Sequence, residues 1–122
     1  DTARKVRAMM ETVVSDQGTA KLAQIPGYEV GGKTGTAKKA GPGGYGAGRY
    51  QSVFAGFVPA GQPRLVMVVM VDEPRGGAYY GGVVAAPVFQ RVMEGALRLL
   101  NIPPDDLEPS MLLAVTGREP AP

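Results

Sequence analysis

Between Gly27 and Lys39 the chain reads GYEVGGKTGTAKK, and the lysine at its centre admits two chemistries. Gly27, Gly32, Lys33 and Thr34 fit the spacing G-x-x-x-x-G-K-[ST], in which backbone amides and a lysine cradle the phosphates of a nucleotide. Read instead as an extended strand, the same residues form a grip for an acid group. Period-2 alternation sets Thr34 and Thr36 on one side, where two hydroxyls together hold a carboxylate. Lys33 adds a positive charge with three donors. Gly32 and Gly35, without side chains, let the backbone of a substrate lie close and pair with the strand edge.

The elements around this stretch decide between the two. From Thr2 to Gln17 the apolar residues Val6, Met9, Met10, Val13 and Val14 recur on one helical face, with Gly18 as a stop. This predicts an amphipathic helix lying on a core, its Met pair serving packing rather than ligation. A polar stretch, Thr19 to Pro26, leads to Gly27, and the segment through Lys39 reads as a strand. The glycine-rich AGPGGYGAG, Ala40 to Gly48, predicts a flexible loop. QSVFAGFVPA and RLVMVVMVD are then two apolar, β-branched runs joined by the turn Pro59 to Pro63, a hairpin signal. The second run, Leu65 to Val71, is apolar on both alternating faces, which predicts a central strand covered on both sides. Pro87 to Leu100 carries Val88, Phe89, Val92, Met93, Ala96, Leu97 and Leu100 at helical spacing, opened by proline and ended by Asn101, Pro103 and Pro104. The order helix, strand, strand, strand, helix predicts an α+β fold with an antiparallel sheet flanked by helices. Residues 102 to 122, rich in Pro and acidic groups, are expected to be an extended or flexible surface tail.

Composition removes several classes. The 122 residues are expected to form one domain or a piece of one. Cysteine and histidine are both absent, which excludes disulfides, thiol nucleophiles, zinc fingers and His-dependent triads. No cofactor is implied. Thirteen Lys and Arg against eleven Asp and Glu give a net charge of +2, too little to make a polyanion the expected partner. Lys33, Lys38, Lys39 and Arg49 flank the glycine-rich loop with Tyr45 and Tyr50. Drawn as a nucleic-acid patch or as a solvated loop, they favour the loop. No apolar run reaches the length of about eighteen residues that a membrane helix needs, and no leader opens the chain, so any anchor is expected to precede Asp1.

A phosphate cradle needs an apolar strand before its first glycine and a helix starting at the Lys-Thr. AKLAQIP ahead of Gly27 ends in proline, and GTAKKAGPGG after Thr34 denies a helix its first turns. VMVVMVDE imitates the strand that ends in a Mg²⁺-binding Asp, but any buried strand leaving a sheet at an acidic turn does so. The short connection between the apolar runs makes them antiparallel neighbours, whereas phosphate-loop sheets are parallel with helical crossovers. Nucleotide binding is therefore the remote alternative.

K-T-G-T is also the third signature of enzymes that acylate an active-site serine with penicillin-like or D-alanyl substrates. With DQGTAKLAQIPGYEVGGKTGTAKK, RYQSVFAGFVPA, PRLVMVVMVDEP and AYYGGVVAAPVFQRVMEGALRLLNI, the chain resembles, over nearly its whole length, the C-terminal part of the transpeptidase domain of class B penicillin-binding proteins. The likeness is greatest to the division-specific penicillin-binding protein 3 type. That resemblance implies a peptidoglycan D,D-transpeptidase that crosslinks stem peptides through an acyl-serine and is inactivated by β-lactams. It implies that Lys33 supports the hydrogen-bond network of the catalytic serines and orients the substrate carboxylate. Thr34 and Thr36, with Gly35 between them, bind that carboxylate, and the backbone N–H of Thr36 is half of the oxyanion hole. Tyr50, Tyr79 and Tyr80 fall where division-type members carry an aromatic wall beside the inhibitor side chain. The plainer reading of these tyrosines is packing, one of the adjacent pair turned inward.

One departure is large. The fold's nucleophile lies in S-x-x-K, supported by S-x-N, yet the only serines are Ser15, Ser52 and Ser110. Three positions on stand Gly18, Ala55 and Leu113, and two positions on stand Gln17, Phe54 and Leu112. The chain is thus expected to be a fragment without turnover of its own, since three strands are a poor independent unit. Its expected partners are the remainder of the same enzyme carrying S-x-x-K and S-x-N, the peptidoglycan stem peptide, β-lactam inhibitors and divisome membrane proteins. The expected location is the periplasmic face of the bacterial inner membrane. The rival from another class is a catalytically inactive penicillin-binding fold acting as a sensor or assembly module.

Overall fold

A computed structural model describes residues 1–45 and 48–106. Helix α1 (Thr2–Val13) is followed by a 3-10 turn (Lys21–Ala23), strands β1 (Gly31–Lys38), β2 (Tyr50–Val58) and β3 (Leu65–Asp72), a one-turn helix α2 (Gly81–Val84) and helix α3 (Ala86–Leu99). The strands form one antiparallel sheet in the order β1-β2-β3, with Thr34 opposite Phe54 and Phe54 opposite Val69. Lys33 and Thr34 thus sit within a strand, and the phosphate-cradle reading has no helix to stand on.

Alternation along β2 decides where the core lies. Ser52, Phe54, Gly56 and Val58 are buried, while the residues between them are only partly so. The buried face meets α3 through Ala86, Phe89, Met93 and Leu97, spaced as one helical stripe. Phe54 and Phe89 meet edge to face, their centroids 4.9 Å apart at 77°. The Phe54 ring also lies across Gly32 and Gly56, where an added Cβ would stand 2.4 and 2.7 Å from it. Gly32 therefore lacks a side chain to admit a phenylalanine, not a substrate backbone, which corrects the expectation for that position.

Helix α3 ends in a closed cap. Asn101 takes φ 51, a left-handed conformation that asparagine tolerates, and its N–H donates to the Arg98 carbonyl. The Ile102 N–H donates to the Leu97 carbonyl, and both side chains are buried: a Schellman motif with its apolar contact. The chain beyond is pinned as far as Asp106. Tyr28 Oη donates to the Ile102 carbonyl, and the Asp105 carboxylate accepts from the backbone N–H groups of Glu29 and Gly61. So the first residues of the expected surface tail are docked; 107–122 lie outside the described residues.

Two expectations about apolar faces are corrected. β3 is not central but the outer strand of this sheet, and Val66, Val68 and Met70 are 77 %, 63 % and 60 % exposed. Only Leu65, Met67 and Val69, on its other face, pack against the core. Helix α1 ends at Val13 rather than Gln17 and buries none of its residues. Val6 and Met9 are exposed, and the helix is tied down at its end by Val13 and Val14. Hydrophobic periodicity identifies which surface is built to be dry; it does not say that the covering element lies in the same 122 residues.

Candidate functional site

The hydrogen-bond register of β1 determines what its outer edge offers. The Lys39 N–H donates to the Arg49 carbonyl at 2.8 Å, in line with the pairing of Ala37 with Gln51 and Gly35 with Val53. In an antiparallel ladder, residues alternate between bonding inward and facing outward. Odd-numbered residues of β1 therefore bond to β2, and Gly32, Thr34, Thr36 and Lys38 turn their N–H and C=O groups to the free edge. The Thr36 amide points away from β2 and has no backbone partner among the described residues, as is required of an oxyanion donor.

Side chains of the same stretch converge there. The Lys33 ammonium donates to the outward Thr34 carbonyl at 2.9 Å, so its charge curls over the edge although its Cβ lies on the opposite sheet face from the threonines. The Thr34 hydroxyl is 3.3 Å from that of Thr19, and the Thr36 hydroxyl accepts from the Gly81 N–H at 3.1 Å. Lys33 and Thr36 are exposed and Thr34 half-buried. At Gly35 the nearest atom to an added Cβ would be Val53 Cβ at 3.6 Å, so the strand is uncrowded at that point. Among the described residues no carboxylate pairs with Lys33. The edge thus combines outward amide groups, two hydroxyls and the Lys33 ammonium, complementary to an extended ligand carrying an acid group.

The tyrosines form a second wall. Tyr50 and Tyr79 stack with centroids 4.0 Å apart and planes at 11°, and Tyr80 tilts onto Tyr79 at 4.6 Å. Tyr79 is half-buried while Tyr80 is exposed. The two phenols approach to 3.4 Å, and the hydrogen bond with Tyr79 raises the pKa of Tyr80. Ser52, fully buried opposite Thr36, donates to the Tyr79 carbonyl and so fixes the wall to the strand beside the grip.

Behind the tyrosines, three strand ends are tied by charge. The Lys39 ammonium lies 3.0 Å from Asp72 and 2.9 Å from Glu73, and Glu73 also faces Arg49 at 3.6 Å. Two cations of the basic group flanking the glycine-rich loop, Lys39 and Arg49, are thereby paired with carboxylates. Hydrogen bonds to Glu73 and Asp72 raise the pKa of Lys39; hydrogen bonds from Lys39 and Gln51 lower that of Asp72. A carboxyl depressed in the folded state contributes stability that is complete above its unfolded pKa and is lost as pH falls through the folded value. Carboxyl NMR titration should therefore place the Asp72 midpoint below about 3.9, the ordinary aspartate value. A midpoint at or above it would mean that the ion cluster does not persist in solution.

Sequence reading missed Thr19, Ser52, Gly81 and Gly82. Thr19 and Ser52 carry no signal, because their partners are remote in sequence. The double glycine does carry one: an added Cβ at Gly81 would lie 2.2 Å from the Val53 carbonyl oxygen, and at Gly82 1.9 Å from that of Thr19. A cavity of about 600 Å³ elsewhere is lined by Glu11, Asp16, Glu29 and Asp106 among others, and no residue of the Lys33–Thr36 strand borders it. The grip is an open edge.

A family model described as "Penicillin binding protein transpeptidase domain" matches residues 1–94. The chain belongs to this transpeptidase family. It is 49 % identical over 112 residues to the "Probable peptidoglycan D,D-transpeptidase PbpC" of Pseudomonas aeruginosa, covering 92 % of this chain and 20 % of that protein. To the "Peptidoglycan D,D-transpeptidase FtsI" of Escherichia coli K12 it is 49 % identical over 104 residues, 85 % of this chain and 18 % of the relative. The solved transpeptidase domain of Burkholderia pseudomallei penicillin-binding protein 3, in its apo form, superposes with a TM-score of 0.78 at 49 % identity, over 87 % of this chain and 32 % of that one. This transpeptidase-family chain thus spans about a fifth of the length of the curated relatives it matches, and its helix-flanked antiparallel sheet is a portion of their fold.

Proposed function

We propose that the full-length protein is a peptidoglycan D,D-transpeptidase of the septal, division-specific kind and that this chain supplies its substrate-binding strand. The observation that carries the reading is the outward edge of β1, where the Thr36 amide, the Thr34 and Thr36 hydroxyls and the Lys33 ammonium stand together. In the proposed reaction a serine Oγ outside this chain attacks the carbonyl of the penultimate D-alanine of a stem peptide. The carbonyl oxygen becomes an anion held by the Thr36 N–H; terminal D-alanine leaves with a proton, and an acyl-serine remains. The amine of a second stem peptide then attacks that ester, forms the crosslinking amide and returns the proton to serine. A β-lactam enters the same first step and stays as the acyl group.

Each residue of the edge has a distinct part. Thr34 and Thr36 hold the carboxylate of the terminal residue or of the β-lactam, and Gly35 keeps the backbone approachable between them. Lys33 contributes charge and hydrogen bonds to the serine network. Tyr50, Tyr79 and Tyr80 flank the ligand side chain. The remainder of the enzyme, with S-x-x-K and S-x-N, also covers the open face of β3. No helix among the described residues is long and apolar enough to cross a membrane, and the periplasmic site of action with an anchored parent and divisome partners rests on the family resemblance.

Labelled penicillin tests the reading on the full-length protein. A covalent, denaturant-resistant adduct blocked by unlabelled β-lactam is the expected result. A folded protein that takes up no label would instead favour the sensor or assembly module.

A further inference from the structure

The Tyr79-Tyr80-Gly81-Gly82 segment brings a backbone donor onto the grip. Gly81 is buried at the start of α2, and its N–H, one of the donors that the helix itself leaves without a partner, goes to the Thr36 hydroxyl at 3.1 Å. A threonine hydroxyl has one hydrogen to give and two lone pairs to receive with. With one lone pair taken by Gly81 and no protein acceptor for its hydrogen among the described residues, the hydroxyl is left as a donor on an exposed edge. This approach exists only because both residues are glycine: a Cβ at Gly81 would meet the Val53 and Gly35 carbonyl oxygens at 2.2 and 2.7 Å, and one at Gly82 the Thr19 carbonyl oxygen at 1.9 Å.

We propose that Gly81 is a positioning residue for ligand recognition: its N–H polarises and aims the Thr36 hydroxyl as a hydrogen-bond donor, so that the site selects a carboxylate over the matching carboxamide. The proposal rests on the transpeptidase reading above and adds to it a residue that touches neither substrate nor serine. A carboxylate takes this hydrogen as a charged acceptor, whereas a carboxamide offers it only a neutral carbonyl oxygen and brings an NH₂ group that competes for the hydroxyl's remaining lone pair. Selection would then come from the direction of one O–H bond, set by a backbone amide forty-five residues away in sequence.

The test is an amide-to-ester exchange at Gly81 in the full-length protein, which removes the N–H and adds no atom to the crowded site. The readout is the ratio of acylation rates for a β-lactam with a free carboxylate and for its carboxamide analogue. That ratio is expected to fall about tenfold or more, the worth of a hydrogen bond to a charged group, with the carboxamide rate little changed. An unchanged ratio overturns the proposal. Should the ester variant fail to fold, amide exchange of Gly81 in Thr36→Val decides: exchange faster by about tenfold supports the bond, and unchanged exchange overturns it. Failure of the unmodified protein to acylate at all would refute the transpeptidase reading instead, so the two failures are distinguishable.

Discussion

Lys33→Ala in the full-length protein should slow acylation by a β-lactam on the order of 100-fold while leaving the melting temperature nearly unchanged. The rate falls because the variant deletes a charged donor at a site where negative charge gathers, and one such donor is typically worth a factor of that order in the chemical step. The fold survives because Lys33 is exposed, bonds only to the carbonyl of its neighbour, and pairs with no carboxylate among the described residues. Stopped-flow acylation with a fluorescent penicillin gives the rate, and a thermal melt gives the control. Lys33→Arg should recover only part of the rate, since a planar guanidinium does not replace a compact ammonium. Wild-type acylation in Lys33→Ala would remove this residue from the mechanism.

The largest effect on stability is expected at Phe54→Ala. Phe54 is fully buried, meets Phe89 edge to face, and fills the space left by Gly32 and Gly56. Truncation leaves a cavity that neither glycine can fill, and losses for buried phenylalanine run to about 3–5 kcal/mol. Denaturant unfolding of the full-length protein measures it. A loss below about 1 kcal/mol would mean that the sheet and α3 can close over the gap. Because Phe54 lies opposite Thr34 in the register, the same variant should also weaken acylation, coupling the core to the grip.

Much of this arrangement is legible in the sequence because it is local. The β-branched run QSVFAGFV marks a strand and the apolar stripe from Pro87 to Leu100 marks a helix, although Val88, Val92 and Leu100 of that stripe are exposed; the glycines after Thr34 rule out a helix at Lys33. The Lys-Thr-Gly-Thr strand follows from the same logic, whereas which of its amides face the open edge is set by the register with β2. What escapes is set by pairing at a distance. β3 carries apolar residues on both faces, so its position at the rim of this sheet depends on strand order and not on its own composition. The Lys39 bridge to Glu73 joins residues far apart in the chain, and no local pattern marks it off from solvated charges. Gly81 and Gly82 read as a turn signal, although at Gly81 the glycine is required by two carbonyl oxygens on neighbouring strands.

A crystal structure of the full-length protein after reaction with a β-lactam tests the outward edge of β1 most directly. The ligand carboxylate should lie about 3 Å from the Thr34 and Thr36 hydroxyls, with the acyl carbonyl oxygen at hydrogen-bond distance from the Thr36 N–H. An adduct whose acid group and carbonyl oxygen both lie away from that edge would contradict the account.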